Sequence, residues 1–180
     1  MDEPGSPGPL SGITVLELGS MYAAPTAGRM LRDFGAEVLK VEDPVNGDYA
    51  RKWIPQKNGH SLGFARINAG KRSIGIDLRT SDGQALVRRL VRDVDVVVAS
   101  FRPGRLEEWG LGFDELTELN PDIVLTRVSG FGQTGPYREQ PGFGTVAETV
   151  SGYAFVNGWP DKPPTSPPFE IGRASCRERV

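Results

Sequence analysis

The sequence predicts an α/β fold, a parallel sheet with helices on both of its faces. Three observations carry that reading. Short runs rich in Val, Ile and Leu recur between residues 13 and 128. Stretches with helical spacing separate several of them. The order strand, helix, strand at this spacing is the signature of parallel βαβ units.

ITVLEL (13–18) reads as a short buried strand. A small-residue turn, SMYAAPTAG, leads into a helical pattern through Arg29, Met30, Leu31 and Phe34. AEVLKVE (36–42) is the second strand. Residues 43–70 read as loop-rich, with Asn46-Gly47 and Asn58-Gly59 as turn signals. SIGIDL (73–78) is the third strand, and SDGQALVRRLVRD is a helix with Ser81 as its N-cap and Leu86, Leu90 and Val91 at helical spacing. DVVVASF (95–101) is a fourth strand, followed by a broken helical stretch through Leu106, Trp109 and Leu116. DIVLTRV (122–128) is the fifth. No internal repeat is visible.

Composition narrows the function class. With 180 residues, 38% hydrophobic, the chain is long enough for one ordinary domain. A net charge of −2 argues against a nucleic-acid or membrane-surface protein. The opening MDEPGSPGPL is polar and proline-rich, unlike a signal peptide, and no apolar run is long enough for a membrane span. Cys176 is the single cysteine, which excludes disulfides and cysteine-based metal sites. A cytoplasmic protein fits best.

Ligands of open parallel sheets sit outside the carboxyl ends of the strands. Here those ends are residues 19–23, 42–44, 78–80, 100–104 and 129–135. One of these loops, GFGQTG (130–135), matches G-x-G-x-x-G, and its sharp reading is a dinucleotide fingerprint of an NAD-dependent oxidoreductase. Pro136 and Pro141-Gly142 follow, so no helix opens where a pyrophosphate needs one, and the motif follows the fifth strand instead of the first. A glycine-rich loop shaping another site is the alternative. His60, the only histidine, reads as an exposed loop residue. Lys71-Arg72 could meet phosphate or form a solvated basic pair. Asp77 and Asp161 are lone carboxylates with no visible partner, and Phe101 and Trp109 suit core or rim packing. Spacing alone leaves the ligand open.

Four stretches together resemble the family III CoA-transferases, the group of formyl-CoA and carnitine CoA-transferases. They are LSGITVLELGSMYAAPTAGRMLRDFGAEVLKVEDP, NAGKRSIGIDLRTSDGQALVRRL, DVVVASFRPGRLEEWGLGFDELTELNP and VSGFGQTGPYREQPGF, and the likeness runs in the family's order from Leu10 to about Phe169. The resemblance implies part of a Rossmann-like large domain and transfer of coenzyme A between carboxylic acids. It implies a catalytic aspartate that forms an acyl-aspartyl anhydride and then an enzyme-CoA thioester. It also implies interlocked homodimers. No permanently bound cofactor is expected, the CoA thioester being a substrate. Covalent catalysis splits an exchange between weak nucleophiles into easier steps, and backbone amides would stabilise the oxyanions. By the same resemblance the CoA contacts fall on Tyr22, Ala23, Ile76, Asp77, Leu78, Arg79, Ser100, Phe101, Arg102, Gly142 and Phe143. Arg79 and Arg102 would meet phosphate, and Phe101 would pack near the adenine.

Four positions depart from the family pattern. Asp43 and Glu108 stand where phosphate-binding basic residues are frequent, with Arg51 or Lys52 as candidate substitutes. Gly144 stands where the racemase branch has an aspartate, which favours transfer over racemisation. The nucleophilic aspartate itself is expected at the position occupied by Arg173, and an arginine cannot form an anhydride. EIGRASCRERV (170–180) reverse-translates in one unbroken frame into a string like a common short-read sequencing adapter. The sequence therefore divides into a flexible leader (1–9), a partial N-terminal CoA-transferase domain (10–169) and a read-through tail (170–180). Such a chain is expected to lack transferase activity. A CoA-binding paralogue that has lost its aspartate is the non-enzymatic alternative.

Overall fold

The computed structural model describes residues 8–142 and 144–165. In chain order the elements are β1 (Thr14–Leu18), α1 (Ala23–Asp33), β2 (Glu37–Glu42), a 3-10 turn (Tyr49–Lys52), β3 (Gln56–Lys57), β4 (His60–Ser61) and α2 (Leu62–Asn68). They continue with β5 (Arg72–Gly75), α3 (Ser81–Val91), β6 (Val96–Ala99), α4 (Arg105–Glu108), α5 (Phe113–Leu119), β7 (Val124–Arg127), α6 (Gly144–Val150) and α7 (Tyr153–Val156). Five strands pair in the order β5-β2-β1-β6-β7, every pair parallel. This is the Rossmann arrangement, with the first strand central and the order reversing between β1 and β6.

Side chains alternate across the sheet and divide the core in two. On one face Leu16, Leu18, Val41, Val97 and Leu125 pack with Val87 and Val91 of α3 and Leu116 of α5. On the other, Val15, Val38 and Val98 pack against Ala24, Ala27 and Leu31 of α1. Each fully buried Val or Leu contributes roughly 1.5–3 kcal/mol relative to exposure, so the two layers fix the sheet that carries the loops. Among the described residues no helix is long and apolar enough to cross a membrane.

The five expected strands and the helix after the third are all present, with shorter ends. The third strand stops at Gly75 because its one neighbour, β2, stops opposite it at Glu42. Ile76 donates one last hydrogen bond to the Glu42 carbonyl (2.9 Å), and Asp77 then starts a turn closed by Thr80 N–H (3.2 Å). The cap of α3 is Thr80, not Ser81: Thr80 is extended and its Oγ1 accepts from Gly83 N–H at 3.1 Å. The region expected to be loop holds a 3-10 turn, a hairpin and α2. Asn58 and Gly59 make the hairpin turn with φ of 52° and 77°, the left-handed pair of a type I′ turn. His60 lies on β4 and is exposed.

Candidate functional site

Loops leaving β1 and β6 diverge to opposite sides of the sheet, and a crevice opens at their carboxyl ends. Two adjoining cavities occupy it, with Ser20 and Phe101 in the walls of both. The first, about 180 Å³, lies over β1, β6 and β7 and is bordered by Ser100, Arg102, Ser129, Arg138 and Gly142. The second, about 310 Å³, lies over β2 and β5 and is bordered by Asp43, Ile76, Asp77, Leu78, Arg79 and Trp109. Phe101 divides them and meets Trp109 edge-to-face, with ring centroids 5.0 Å apart.

Nine of the eleven candidate contact residues therefore gather at one crevice. Ala23, Ser100, Phe101, Arg102 and Gly142 border the first cavity; Ile76, Asp77, Leu78 and Arg79 border the second. Tyr22 borders neither, and its ring lies against Trp53 with centroids 5.8 Å apart. Phe143, like Arg173 and the tail from 170 onward, falls outside the described residues.

Glycines allow the close approaches that shape the crevice. A Cβ on Gly19 would lie 2.4 Å from Ser100 Oγ and 2.7 Å from Ala24 Cβ, so the β1 and β6 loops approach this closely because position 19 is glycine. Gly130 and Gly142 meet backbone to backbone, since a Cβ on either would lie 2.4 or 2.3 Å from the Cα of the other. That contact folds the segment after β7 over the first cavity. Of GFGQTG only Gly130 borders a cavity. No helix opens between Gly135 and Gly142, and β7 is an edge strand. A dinucleotide fingerprint requires the opposite of both.

Beneath the crevice runs a buried ionic network that sequence reading missed. Lys40 Nζ donates to Glu17 Oε1 and to the Gly19 carbonyl, both at 2.8 Å, and lies 2.8 Å from Asp48 Oδ2. That last approach is an ion pair outside hydrogen-bond angles. Asp48 Oδ1 accepts from the backbone N–H of Met21 and of Ala50, each at 2.9 Å. Met21 has φ of 68°, a left-handed backbone that costs a side-chain-bearing residue energy, and the Asp48 carboxylate holds it there. Lys71 closes the network, donating to Glu17 Oε2 and the Pro25 carbonyl at 2.7 Å and to Asn68 Oδ1 at 2.9 Å. Its side chain is 2% exposed, which corrects its reading as a phosphate ligand or solvated cation. Burial pushes the Lys71 pKa down, against the pull of Glu17. The visible signal was a charged residue inside each of two apolar strands, VLEL and VLKVE.

The expected substitute cation Arg51 is also engaged. Its guanidinium grips Glu42 with two bonds of 2.7 and 2.8 Å and lies 4.0 Å over the Phe64 ring. Burial alone would raise the Glu42 pKa. Hydrogen bonds from Arg51, Ser73 and the Asp48 amide outweigh it and hold the carboxyl at about 2. Asp77 is not a lone carboxylate: Arg79 donates to its Oδ1 and Oδ2 at 2.7 and 2.9 Å. Asp43 Oδ2 takes a third bond from the same guanidinium at 2.9 Å. Glu108 pairs with Arg105 at 2.7 Å. Arg102, by contrast, has no ion pair among the described residues.

Residues 10–176 match the family described as CoA-transferase family III. The chain is 53% identical over 167 residues to the succinyl-CoA–D-citramalate CoA-transferase of Chloroflexus aurantiacus, covering 92% of this chain and 42% of that protein. It is 45% identical over 170 residues to the succinate–glutarate CoA-transferase of Agrobacterium fabrum, covering 91% of this chain and 42% of the relative. A crystal structure of a CAIB/BAIF family protein from Brucella suis superposes with a TM-score of 0.88 at 38% identity, covering 93% of this chain and 46% of that one. The chain thus spans less than half the length of each of these three relatives.

Proposed function

Because the chain belongs to CoA-transferase family III, we propose that its crevice is the CoA-thioester site of an enzyme that moves coenzyme A between carboxylic acids. The observation that carries the reading is the gathering of two cavities around Ser20 and Phe101 at the strand-order reversal. The larger cavity suits the nucleotide end of CoA, beside Phe101 and Trp109. The smaller one suits the thioester and the acid. Arg102 in its wall favours a second carboxylate, with Arg138 beside it shared with Glu139 at 2.8 Å, in keeping with the succinyl and glutarate names of the relatives. Tyr22 and Phe143 belong to the proposed contact set through the resemblance.

The reaction in this reading runs through a carboxylate nucleophile. An aspartate oxygen attacks the thioester carbonyl, and the CoA thiolate leaves with the bonding pair to give the mixed anhydride. The thiolate then attacks the aspartyl carbonyl, releasing the first acid and forming the enzyme thioester. The acceptor carboxylate next attacks the aspartyl thioester carbonyl, expelling the thiolate and forming a second anhydride, and the thiolate then attacks the acceptor's acyl carbonyl and releases the aspartate. The interlocked homodimer implied by the resemblance and the cytoplasmic location suggested by composition are part of the proposal. With Arg173 at the aspartate's expected position, the 180-residue chain is proposed to hold CoA without transferring it.

Calorimetric titration with CoA and with NAD tests the binding half, CoA alone being expected to bind. Reading the gene past the Phe169 codon tests the catalytic half. An aspartate four residues on supports transfer, whereas any other residue leaves only the ligand-holding role.

A further inference from the structure

Arg79 stands at the lip of the larger cavity with its charge already spent on two carboxylates from different loops. Asp77 takes it through two oxygens and Asp43 takes it through one, across 36 residues of sequence. Neither acid is loose. Asp43 Oδ1 accepts from the backbone N–H of Val45 at 2.9 Å and of Asn46 at 2.8 Å, and Asp77 Oδ1 accepts from the Arg79 N–H at 3.0 Å. The other acids bordering this cavity are matched elsewhere, Glu42 by Arg51 and Asp48 by Lys40. The lip therefore carries two acids against one arginine, a net single negative charge where a polyanionic ligand would enter. The Arg79 side chain is still 65% exposed, so a phosphate can reach it.

We propose that Asp43 is an internal competitor for Arg79, a specificity-determining residue that lowers affinity for the phosphate groups of the CoA thioester. The proposal rests on the CoA reading of the crevice. On binding, the guanidinium exchanges its Asp43 oxygen for a phosphate oxygen while Asp77 keeps it oriented. The carboxylate weakens entry of the nucleotide end, and the same carboxylate speeds its release. No bond is made or broken beyond this ion-pair exchange.

The experiment is calorimetric titration of CoA into the purified protein and into Asp43→Asn, Arg79→Gln, the double variant, and Asp82→Asn. Asp82 borders neither cavity and controls for net charge. Melting curves establish that each variant is folded. Asp43→Asn should tighten CoA binding about two- to fivefold at low salt, with the gain shrinking as salt rises. In the Arg79→Gln background the gain should vanish, and Asp82→Asn should match the parent. An unchanged affinity in Asp43→Asn overturns the proposal. So does an equal gain with Arg79 absent, which would reveal simple charge repulsion. If CoA binds none of these folded proteins, the CoA reading itself fails and takes the proposal with it.

Discussion

Glu17 and Lys40 are register partners on neighbouring parallel strands, and their side chains meet in a 2.8 Å ion pair with 0% and 1% exposure. Lys71 reaches the other Glu17 oxygen, Asp48 lies beside Lys40, and Lys40 also bonds the Gly19 carbonyl. The pair thus connects the centre of the sheet to the loop that floors both cavities. Gly28 of α1 makes room for it, since a Cβ there would lie 2.2 Å from Glu17 Oε2.

Removing one partner leaves a buried charge without compensation. Lys40→Met should destabilise the fold by about 3–5 kcal/mol, read as a shift in urea midpoint at unchanged slope. Glu17→Gln should cost a similar amount, and the double variant less than their sum. A loss below about 1 kcal/mol for either single change would show that the network contributes nothing to the fold.

Glu42 gives the stability curve an acid limb. Its carboxyl is held at about 2 in the folded chain against an ordinary 4.5. Its contribution is therefore fully present above pH 4.5 and disappears as pH falls toward 2. Arg51 is 46% exposed, so solvent screening reduces the effect to roughly 2 kcal/mol. Glu42→Gln should flatten the loss of stability across that window in pH-resolved denaturation. A variant curve parallel to the parent's would refute this origin.

Gly130→Ala should damage the site more than the fold. The new Cβ would start 2.4 Å from the Gly142 Cα, and backbone must part to admit it. The wall of the smaller cavity opens as a result. CoA-thioester affinity should fall at least about tenfold, or 1.4 kcal/mol, with a melting temperature within a few degrees of the parent. Unaltered affinity would mean that this wall does not touch ligand.

Phe101→Ala should affect both cavities at once. The edge-to-face contact with Trp109 at 5.0 Å disappears, costing about 2 kcal/mol of stability for a partly buried ring. The acyl thioester should weaken more than CoA, because the ring borders both halves of the crevice. An equal loss for the two would assign Phe101 to the nucleotide cavity alone.

The strands were legible because their apolar runs exceed anything nearby, and the crevice because parallel sheets place ligands at strand ends. The resemblance then pointed to residues that the fold gathers, from Ala23 to Arg102. What stayed hidden depends on distance in sequence. Lys71 and Glu17 are 54 residues apart and Arg79 and Asp43 are 36 apart, and no local pattern announces such pairs. Helix α2 was missed because seven residues give too little periodicity, although Ser61, whose Oγ accepts from Phe64 N–H at 3.1 Å, is an ordinary cap. The third and fifth strands were overextended because both lie at sheet edges, and an edge strand continues only as far as its neighbour does.

The two sides of the smaller cavity are built from unlike material. Its inner side comes from turns anchored on the central strands, while its outer side is the stretch from Ser129 to Gly142, which contains no helix or strand. Selection can therefore act on them separately. If the crevice is the proposed CoA-thioester site, substitutions in the outer stretch would refit it to a longer, branched or hydroxylated acid without disturbing the sheet, and the choice of acceptor would change apart from the hold on the nucleotide.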